Sequence, residues 1–400
     1  MSARKIIISG TGCALADNLY NGVSFDSPSF RKYLSVKTGD GGLSPGRLVF
    51  SDELERFSGK SYPEILKEIT GCRKPDAFNA GGPSLVSMIH ASQMLDQDHF
   101  KVNFFGIAGR DETADKIFSI LRSIPLGTEN YVTTGKRATP FTDVFSDADY
   151  DNGHGERTFV NNIGAALNFT PQYLGGRFFE SDIVCFGGTA LVPQIHDSLT
   201  DLLSEAKKRN CITVVNTVYD FRNEKKNPGG NWPLVKNHGD FGSIDILIMD
   251  REEALRISGK QTIEEAAGFF AGVRAPAFII TNGAGDLYAM SSGELFKRTD
   301  LIKLPVSQKA KNDMQSAHGM KGDTTGCGDN FAGGIIASAA WQLKKWQKGD
   351  FKLKEAISWG IASGGFTCFI TGGTYKEKYR GEKLERVTGL HKEYLKQIGE

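Results

Sequence analysis

A glycine-rich segment near the C-terminal end of the chain combines a carboxylate with backbone groups that would suit an anion. It reads Asp323-Thr-Thr-Gly-Cys-Gly-Asp-Asn-Phe-Ala-Gly-Gly334 and predicts a turn that runs into a helix of small residues. A helix start leaves four N–H groups unpaired and carries about half a positive charge, so it binds phosphate oxygens well. Gly326 and Gly328 let the backbone approach a ligand closely. Asp329 would lie in the first helical turn, as a base beside the anion or as a plain helix-dipole partner.

Two acidic residues form a second motif. Asp250 and Glu253 follow an apolar run at 245–249 and open a helix, and residues three apart share a helix face. Carboxylate oxygens are hard ligands of the kind that Mg²⁺ takes, usually with several waters retained. The pair predicts an Mg²⁺ site, bound directly or through water, and helix capping is the alternative explanation.

A third motif, Thr281-Asn-Gly-Ala-Gly285, ends the next apolar run. The Thr281 hydroxyl and the flexible amides around Gly283 and Gly285 predict a site for triphosphate oxygens. No Gly-x-x-x-x-Gly-Lys-Ser/Thr sequence occurs, which excludes a P-loop as the nucleotide site. The histidines show no metal-ligand spacing, so none receives a role.

Glycines in the N-terminal quarter predict a further ligand contact. Asn79-Ala-Gly-Gly82 precedes a helical pattern. Its paired glycines let the backbone approach a ligand, and the amide of Asn79 can both donate and accept hydrogen bonds. Earlier in the chain, Gly10-Thr-Gly-Cys-Ala-Leu15 begins like a dinucleotide-binding Gly-x-Gly-x-x-Gly. Leu15 stands where that motif needs its third glycine.

Short apolar runs that end in Gly, Asn or Asp alternate with helical patterns along the chain. The predicted strands span 5–9, 102–108, 182–186, 212–216, 245–250 and 278–281, and the predicted helices span 84–95, 111–124, 191–208, 263–273 and 355–369. Strands with so many consecutive apolar residues are covered on both faces. The alternation predicts an α/β fold with a doubly wound, mostly parallel sheet flanked by helices, whose ligands lie beyond the C-terminal strand ends.

Two stretches, 18–50 and 129–162, interrupt this alternation. They carry Gly, Pro, Thr and Asp between alternating apolar positions, a pattern typical of half-exposed antiparallel strands. We expect a small β-sheet lid, built as an excursion from a single domain that spans residues 1–400. Two disordered surface insertions are the alternative. A homodimer through the lid is a further expectation.

The composition limits the partners of the chain. The 400 residues carry a formal charge of +1, with both signs spread throughout, so neither nucleic acid nor a membrane surface is an expected partner. Six scattered cysteines without a Cys-x-x-Cys pair predict buried free thiols in a reducing compartment. We expect a cytoplasmic protein whose partner is a small metabolite.

The motifs together resemble a known family. The Asp-Thr-x-Gly-x-Gly-Asp-x-Phe pattern from Asp323 is similar to the C-terminal signature of the ribokinase-like (PfkB-type) carbohydrate and nucleoside kinases, where Ala usually stands in place of Cys327. The turn at 281–285 matches the family's Thr-x-Gly-x-Gly nucleotide turn. The acidic pair stands where the family usually has Asn-x-x-Glu. Gly106-Ile-Ala-Gly-Arg-Asp111 resembles a strand-to-helix turn of the family, although Asp111 is more simply read as an N-cap.

The resemblance also implies an acceptor site. The family's Gly-x-x-x-x-Asp step places a carboxylate on sugar hydroxyls, and Gly12 and Asp17 fit that spacing. The later Asn of the family's Gly-Gly substrate signature is absent here. A lid strand returning at 155–159 would bring Glu156 or Arg157 to the acceptor. The implied acceptor-binding residues are Gly12, Asp17, Asn79, Gly81, Gly82 and Arg157.

By this resemblance the chain is an ATP-dependent kinase that uses Mg²⁺ and phosphorylates a hydroxyl of a small sugar or sugar-like acceptor. Asp329 would be the general base, and the backbone of Gly326, Cys327 and Gly328 would stabilise the phosphoryl charge. A nucleoside (adenosine-like) kinase of the same fold is the first alternative. A Rossmann-type NAD(P) oxidoreductase is the second, and a non-catalytic sugar-binding relative would have little reason to keep Asp329. The implied nucleotide-binding residues are Thr281, Gly283, Gly285, Asp323 and Thr324.

Overall fold

The computed structural model describes residues 4–37, 39–315 and 324–400. The strands are β1 (Ile6–Gly12), β2 (Leu15–Asn21), β3 (Leu48–Phe50), β4 (Ala77–Gly81), β5 (Phe100–Gly109), β6 (Gly127–Thr134), β7 (Phe141–Asp147), β8 (Glu156–Asn162), β9 (Ile183–Gly187), β10 (Ile212–Asn216), β11 (Ile246–Asp250), β12 (Ala277–Thr281), β13 (Leu287–Ser291) and β14 (Thr299–Leu304).

The α-helices are α1 (Pro28–Arg31), α2 (Ser51–Ser58), α3 (Tyr62–Thr70), α4 (Pro83–Met94), α5 (Glu112–Leu121), α6 (Tyr150–Gly153), α7 (Gly175–Phe179), α8 (Pro193–Asp197), α9 (Leu199–Lys208), α10 (Phe221–Lys226), α11 (Arg251–Ser258), α12 (Ile263–Gly272), α13 (Gln308–Gln315), α14 (Cys327–Lys345), α15 (Leu353–Thr367) and α16 (Glu382–Ile398). Short 3₁₀ turns lie at Gly164–Asn168, Pro171–Tyr173, Thr189–Leu191 and His238–Ser243.

A large, mostly parallel sheet forms the centre of the molecule. Within the described residues its nine strands follow the order β14-β13-β12-β11-β10-β9-β1-β5-β6. The strands from β12 to β6 run parallel, and β13 and β14 continue one edge antiparallel. Every predicted strand is present. The β9 and β10 strands are buried along their whole length, as expected of strands with helices on both faces.

Helices cover both faces of this sheet, which confirms the predicted α/β architecture. Apolar residues of α4, α14, α15 and α16 pack in one buried cluster against one face, and residues of α9 and α12 pack against the other. The helix predicted at 191–208 is two helices, because the backbone at Ser198 leaves the helical conformation (φ −101°, ψ 3°). In the described part of the chain, no helix combines the length and apolar character needed to cross a membrane.

A second sheet of five strands, β3-β8-β7-β2-β4, forms the lid. Both predicted boundaries need correction. The first lid segment begins at Leu15 and continues through α2 and α3 to β4, beyond residue 50. The second begins later than 129, because β6 pairs with β5 in the large sheet. As an edge strand β6 is half exposed and mostly polar, as expected of a lid strand, so its composition alone cannot assign it to one sheet or the other.

The lid sheet has its own apolar core. Residues of the lid strands pack with the segment that carries α1 to α3, including the fully buried Phe30, Leu54, Ile65 and Phe145. That segment therefore shields part of the lid from solvent. A homodimer through the lid stays a prediction.

The order of the strands shows where a ligand would lie. The chain passes from β1 through the lid to β5 and β6, then returns to β9 on the opposite side of β1. Sheets of this kind bind ligands beyond the C-terminal strand ends at such a reversal. Gly12, at the end of β1, pairs with Gly187 at the end of β9, and the first lid strand starts three residues after Gly12.

Candidate active site

The helix α14 begins where the glycine-rich motif predicted. Gly326 is its N-cap in the left-handed conformation (φ +77°), and Cys327 is its first residue. A Cβ on Gly326 would lie 2.5 Å from the Cα of Gly373, so glycine is required both for the turn and for this approach. A Cβ on Gly328 would meet no atom within 4 Å. The space beside Gly328 in the first helical turn is therefore open.

A buried polar network stabilises this helix start. The Asn330 side chain donates from Nδ2 to the carbonyl of Gly326 (2.9 Å) and to that of Gly373 (2.8 Å). Its Oδ1 accepts from Lys383 Nζ (3.0 Å) and from His90 Nδ1 (2.7 Å). Asn330, Lys383 and His90 are fully buried. Burial lowers the pKa of Lys383 to about 7, so the network holds a lysine that titrates near neutrality.

Asp329 lies in the first turn of α14, as predicted. Burial of the carboxylate among protein atoms raises its pKa to about 7, which is the range suited to a general base. Burial raises the pKa values of Glu253 and of the Cys13 thiol most, and the negative charge of Asp329 adds to both shifts. The fold thus brings the C-terminal motif close to the acidic pair on α11 and to the end of β1.

The acidic pair caps a helix. Asp250 is the N-cap of α11 and accepts from the Glu253 N–H (2.8 Å), while Glu253 Oε2 accepts from the Asp250 N–H (2.9 Å) and from Thr217 Oγ1 (2.6 Å). This is a capping box, the alternative that the sequence left open. Burial and the charge of Asp250 nevertheless raise the pKa of Glu253 to about 8, and burial raises that of Asp250.

Two neighbouring carboxylates with raised pKa values, Glu253 buried and Asp250 exposed, fit a cation, which would favour their ionised forms. Within the described residues no group of three or more His, Cys, Asp or Glu side chains is arranged to hold a metal ion. Mg²⁺ binds with one or two carboxylates and several waters, so Asp250 and Glu253 satisfy that minimal requirement.

The predicted nucleotide turn, 281–285, adjoins this pair. Thr281 ends β12 and pairs with Asp250 at the C-terminal edge of the sheet, and its hydroxyl donates to the carbonyl of Met249 (3.4 Å). The turn closes with a hydrogen bond from the Gly285 N–H to the Asn282 carbonyl (2.8 Å), and Gly283 at its tip is exposed. The predicted turn and acid pair therefore share one edge.

The two remaining predicted nucleotide-binding residues precede α14. Thr324 is exposed, and its carbonyl accepts from the Cys327 N–H (3.3 Å) in the turn before the helix. Asp323 lies outside the described residues.

Asp17 stands on the lid strand β2, between Asn79 on β4 and Thr142 on β7. Its side chain fills the space above Gly81, where a Cβ would lie 1.9 Å from Asp17 Oδ2. The charges of Asp17 and Asp329 both raise the pKa of the Cys13 thiol. The two carboxylates, more than three hundred residues apart in sequence, thus flank the same residue at the end of β1.

Other predicted acceptor residues make contacts within the protein. Asn79 Nδ2 donates to the carbonyls of Thr371 (3.2 Å) and Thr374 (3.5 Å), which gives this amide a structural partner. Arg157 Nη1, on the lid strand β8, donates to Thr325 Oγ1 (3.1 Å). Of the pair Glu156 and Arg157, Arg157 therefore reaches the turn before α14.

Gly12 and Gly82 support the same strand ends. Cys13, the residue after Gly12, donates its N–H to the Gly187 carbonyl (2.9 Å) and accepts from the Ser84 N–H (3.1 Å). Gly82 is the N-cap of α4 and lies against the Cys13 carbonyl. Both glycines therefore border the backbone that Asp17 and Asp329 flank.

Some contributors to the site were not predicted. Asn330 directly follows Asp329 in the motif, and an amide side chain one residue after the carboxylate was a signal that the sequence contained. The Gly372-Gly373 pair was another, because paired glycines permit close backbone approach. His90 and Lys383 gave no sequence signal, since only the packing of α4 against α14, and of α16 against α4, brings them to Asn330. The side chain of Asp111 accepts from the Ala114 N–H, which confirms the N-cap interpretation.

Solved structures with a similar overall fold identify the fold class of this chain. The chain is similar to an adenosine kinase from Schistosoma mansoni in complex with 2-fluoroadenosine, at 15% identity and a TM-score of 0.66, over 92% of this chain and 97% of that one. It is similar to a probable sugar kinase from Rhizobium etli at 15% identity and a TM-score of 0.68, over 97% and 100%. An adenosine kinase from Sinorhizobium meliloti matches at 16% identity and a TM-score of 0.67, over 96% and 100%. The fold is ribokinase-like.

The sequence model of the pfkB family carbohydrate kinases matches residues 76–376. The chain belongs to this family of kinases, as its motifs predicted. The Rossmann-type oxidoreductase interpretation is wrong, and the fold shows why. After Gly12 the chain passes directly from β1 into β2 of the lid, whereas a dinucleotide fingerprint needs a helix start at that point to receive the pyrophosphate.

Proposed function

We propose that this protein transfers the γ-phosphoryl group of ATP to a hydroxyl of a small sugar or sugar-like acceptor, with Asp329 as the general base. The observation that carries the proposal is the position of Asp329. Its carboxylate lies in the first turn of α14, next to Gly328 and the open space beside that glycine, and has a pKa raised to about 7. A base with this pKa is largely ionised just above neutrality and accepts a hydroxyl proton efficiently.

In the proposed reaction each of the described motifs has its own role. The amides of Gly326, Cys327 and Gly328 would hold the γ-phosphoryl oxygens, the Cys327 N–H leaving the Thr324 carbonyl to do so, and the helix dipole would stabilise the charge of the transition state. The turn at 281–285 holds the other phosphates. Asp329 orients the attacking hydroxyl and takes its proton. Phosphoryl transfer depends mainly on positioning and electrostatics, and this set supplies both.

Asp250 and Glu253 would hold Mg²⁺ at the edge shared with the nucleotide turn. When bound, the ion would neutralise phosphate charge in the transition state. The chemistry of the two carboxylates supports this assignment, because burial leaves both with pKa values that a cation would lower.

The acceptor would lie between Asp17 and Asp329, beside the end of β1. A carboxylate can accept from two sugar hydroxyls, and Gly81 leaves Asp17 the space to do so. Ribose in a nucleoside offers the same hydroxyls as a free sugar. A nucleoside acceptor is therefore the second candidate, and adenosine kinases among the structural neighbours favour testing it.

The decisive experiment is an ATP-to-ADP coupled screen over pentoses, hexoses, keto-sugar acids and nucleosides, with Asp329→Asn as the test variant. The substitution removes the base and keeps the volume, so turnover on the best acceptor should fall on the order of 10²- to 10⁴-fold. Nucleotide binding, measured by calorimetry, should change little.

Asp115→Asn is the matched control, because Asp115 is an exposed carboxylate in the first turn of α5. It should retain full turnover. Asp329→Asn activity above about a third of wild type is incompatible with a general-base contribution of this size and would remove Asp329 from the role.

A further inference from the structure

Two cysteines lie side by side at the edge of the candidate active site. The Sγ atoms of Cys327 and Cys368 are 3.5 Å apart, although the residues are separated by 41 positions. Both are half-buried, whereas Cys13, Cys185 and Cys211 are buried and Cys72 is exposed. The sequence predicted six buried thiols, and this pair, like Cys72, departs from that prediction.

The fold brings the two thiols together through its most extensive helix contact. Cys327 is the first residue of α14, and Cys368 is the C-cap of α15, the helix that packs along α14. The Cys368 thiol also lies 3.6 Å from the Gly364 carbonyl. A Cβ at Gly364 would lie 3.1 Å from the Cys327 carbonyl, so the small residue at this position lets the two helix ends approach.

We propose that Cys327 and Cys368 form a site of reversible oxidation, at which a peroxide converts the two thiols into a disulfide that blocks the anion-binding helix start. The Cys368 thiolate attacks the peroxide, gives a sulfenic acid and releases hydroxide. The Cys327 thiol then attacks the sulfenic sulfur, forms the S–S bond and releases water. In total two thiols lose two protons and two electrons, and hydrogen peroxide is reduced to two waters.

The environment of the pair suits this chemistry. The hydrogen bond between the thiols lowers the pKa of Cys368 to about 7, so a large thiolate fraction is present at neutral pH, and the thiolate is the reactive form. The Cys327 sulfur is already within van der Waals distance as a resolving thiol. Redox-sensitive cysteines are typically accessible, of low pKa and next to such a partner.

The effect on activity rests on the proposed function. A disulfide requires an S–S length of about 2.05 Å, so the sulfurs must approach by roughly 1.5 Å from their present 3.5 Å. Cys327 supplies one of the amides at the helix start, and misplacing a reacting group by about 1 Å can cost on the order of 10²-fold in rate.

The test treats reduced protein with hydrogen peroxide, removes the peroxide and maps peptides under non-reducing conditions by mass spectrometry. We expect a Cys327–Cys368 cross-linked peptide that disappears with dithiothreitol. Cys368→Ala and Cys368→Ser should both lack it, and Cys72→Ala, which removes an exposed thiol away from the pair, should keep it. The mapping needs no enzymatic activity, so it stands apart from the proposed function.

Turnover is measured on the same samples. Oxidised wild type and Cys72→Ala should lose on the order of 10²-fold in rate and regain it with dithiothreitol, and the Cys368 variants should keep their rates after peroxide. Irreversible sulfinic acid at Cys327, or a wild type that maps without the cross-link, overturns the oxidation site. A cross-linked protein with unchanged turnover overturns the blocking effect. If the oxidised protein contains the cross-link but the reduced enzyme phosphorylates none of the acceptors, the result counts against the proposed function and not against the oxidation site.

Discussion

Gly81→Ala tests the acceptor site with a change of one methyl group. Gly81 ends β4 and is buried, and a Cβ added there would lie 1.9 Å from Asp17 Oδ2. Ordinary contacts of this type begin near 3.4 Å. The carboxylate of Asp17 must therefore retreat by about 1.5 Å, which exceeds the roughly 1 Å misplacement that costs an enzyme about 10²-fold. The nucleotide turn and α14 are untouched by the substitution.

The size of the effect follows from the bonds that Asp17 would lose. A hydrogen bond to a charged group contributes about 1.5 to 3 kcal/mol, which corresponds to about one to two decades in affinity. We expect the acceptor KM of Gly81→Ala to rise by about 10- to 100-fold, with the KM for ATP unchanged. Asp17→Ala should produce the same rise, because it removes the same carboxylate.

The assay measures the initial rate against acceptor concentration at saturating ATP, and against ATP concentration at saturating acceptor. The double variant Gly81→Ala with Asp17→Ala should be no worse than Asp17→Ala alone, since the methyl group then has no carboxylate to displace. Gly135→Ala is the matched control, because a Cβ there meets no atom within 4 Å and Gly135 is exposed. An acceptor KM at the wild-type value in a folded Gly81→Ala protein, or an equal rise for ATP, would refute the placement of the acceptor at Asp17.

Three further outcomes are expected. The kcat/KM for the acceptor should rise with pH through about 7 and then level off, because burial raises the pKa of Asp329 to about 7 and the base acts when ionised; a flat pH profile would contradict the role. The free energy of unfolding should increase as the pH rises from about 7 to about 10.4. The pKa of Lys383 is lowered to about 7 in the folded state, whereas an unfolded lysine has a pKa near 10.4. Between these values the unfolded chain binds more protons, so a rise in pH favours the folded state. Denaturation of Lys383→Met at several pH values should lack that increment, and equal slopes for both proteins would contradict it. Glu253→Gln should raise the Mg²⁺ concentration needed for half-maximal rate more than Asp250→Asn does. Asp250→Asn restores the residue that the family usually carries, and Glu253 is the more buried carboxylate. A titration with the reverse order would show that this helix start is aligned incorrectly with the family motif.

The sequence predicted the parts of the site whose signals are local. The end of β12 and the acidic cap of α11 are each defined by glycines or polar residues directly after an apolar run, and the turn before α14 is defined by its own glycines, so a short window contained each signal. The lid boundaries were harder, because the edge strand β6 is half exposed and mostly polar, as expected of a lid strand. Asn330, Lys383 and Cys368 depend on contacts between helices far apart in the chain, and no local pattern encodes such contacts.

The loop at 371–374 connects these separate parts. Thr374 donates its hydroxyl to the Ala80 carbonyl of the lid strand β4 (2.6 Å), and Asn79 of the same strand donates to this loop. On its other side Gly373 lies against Gly326 and shares the Asn330 amide with it. The loop starts three residues after Cys368. A displacement of the lid strand or of Cys368 therefore acts on the same four residues that fix the helix start, and the geometry of the anion site depends on the lid as well as on α14.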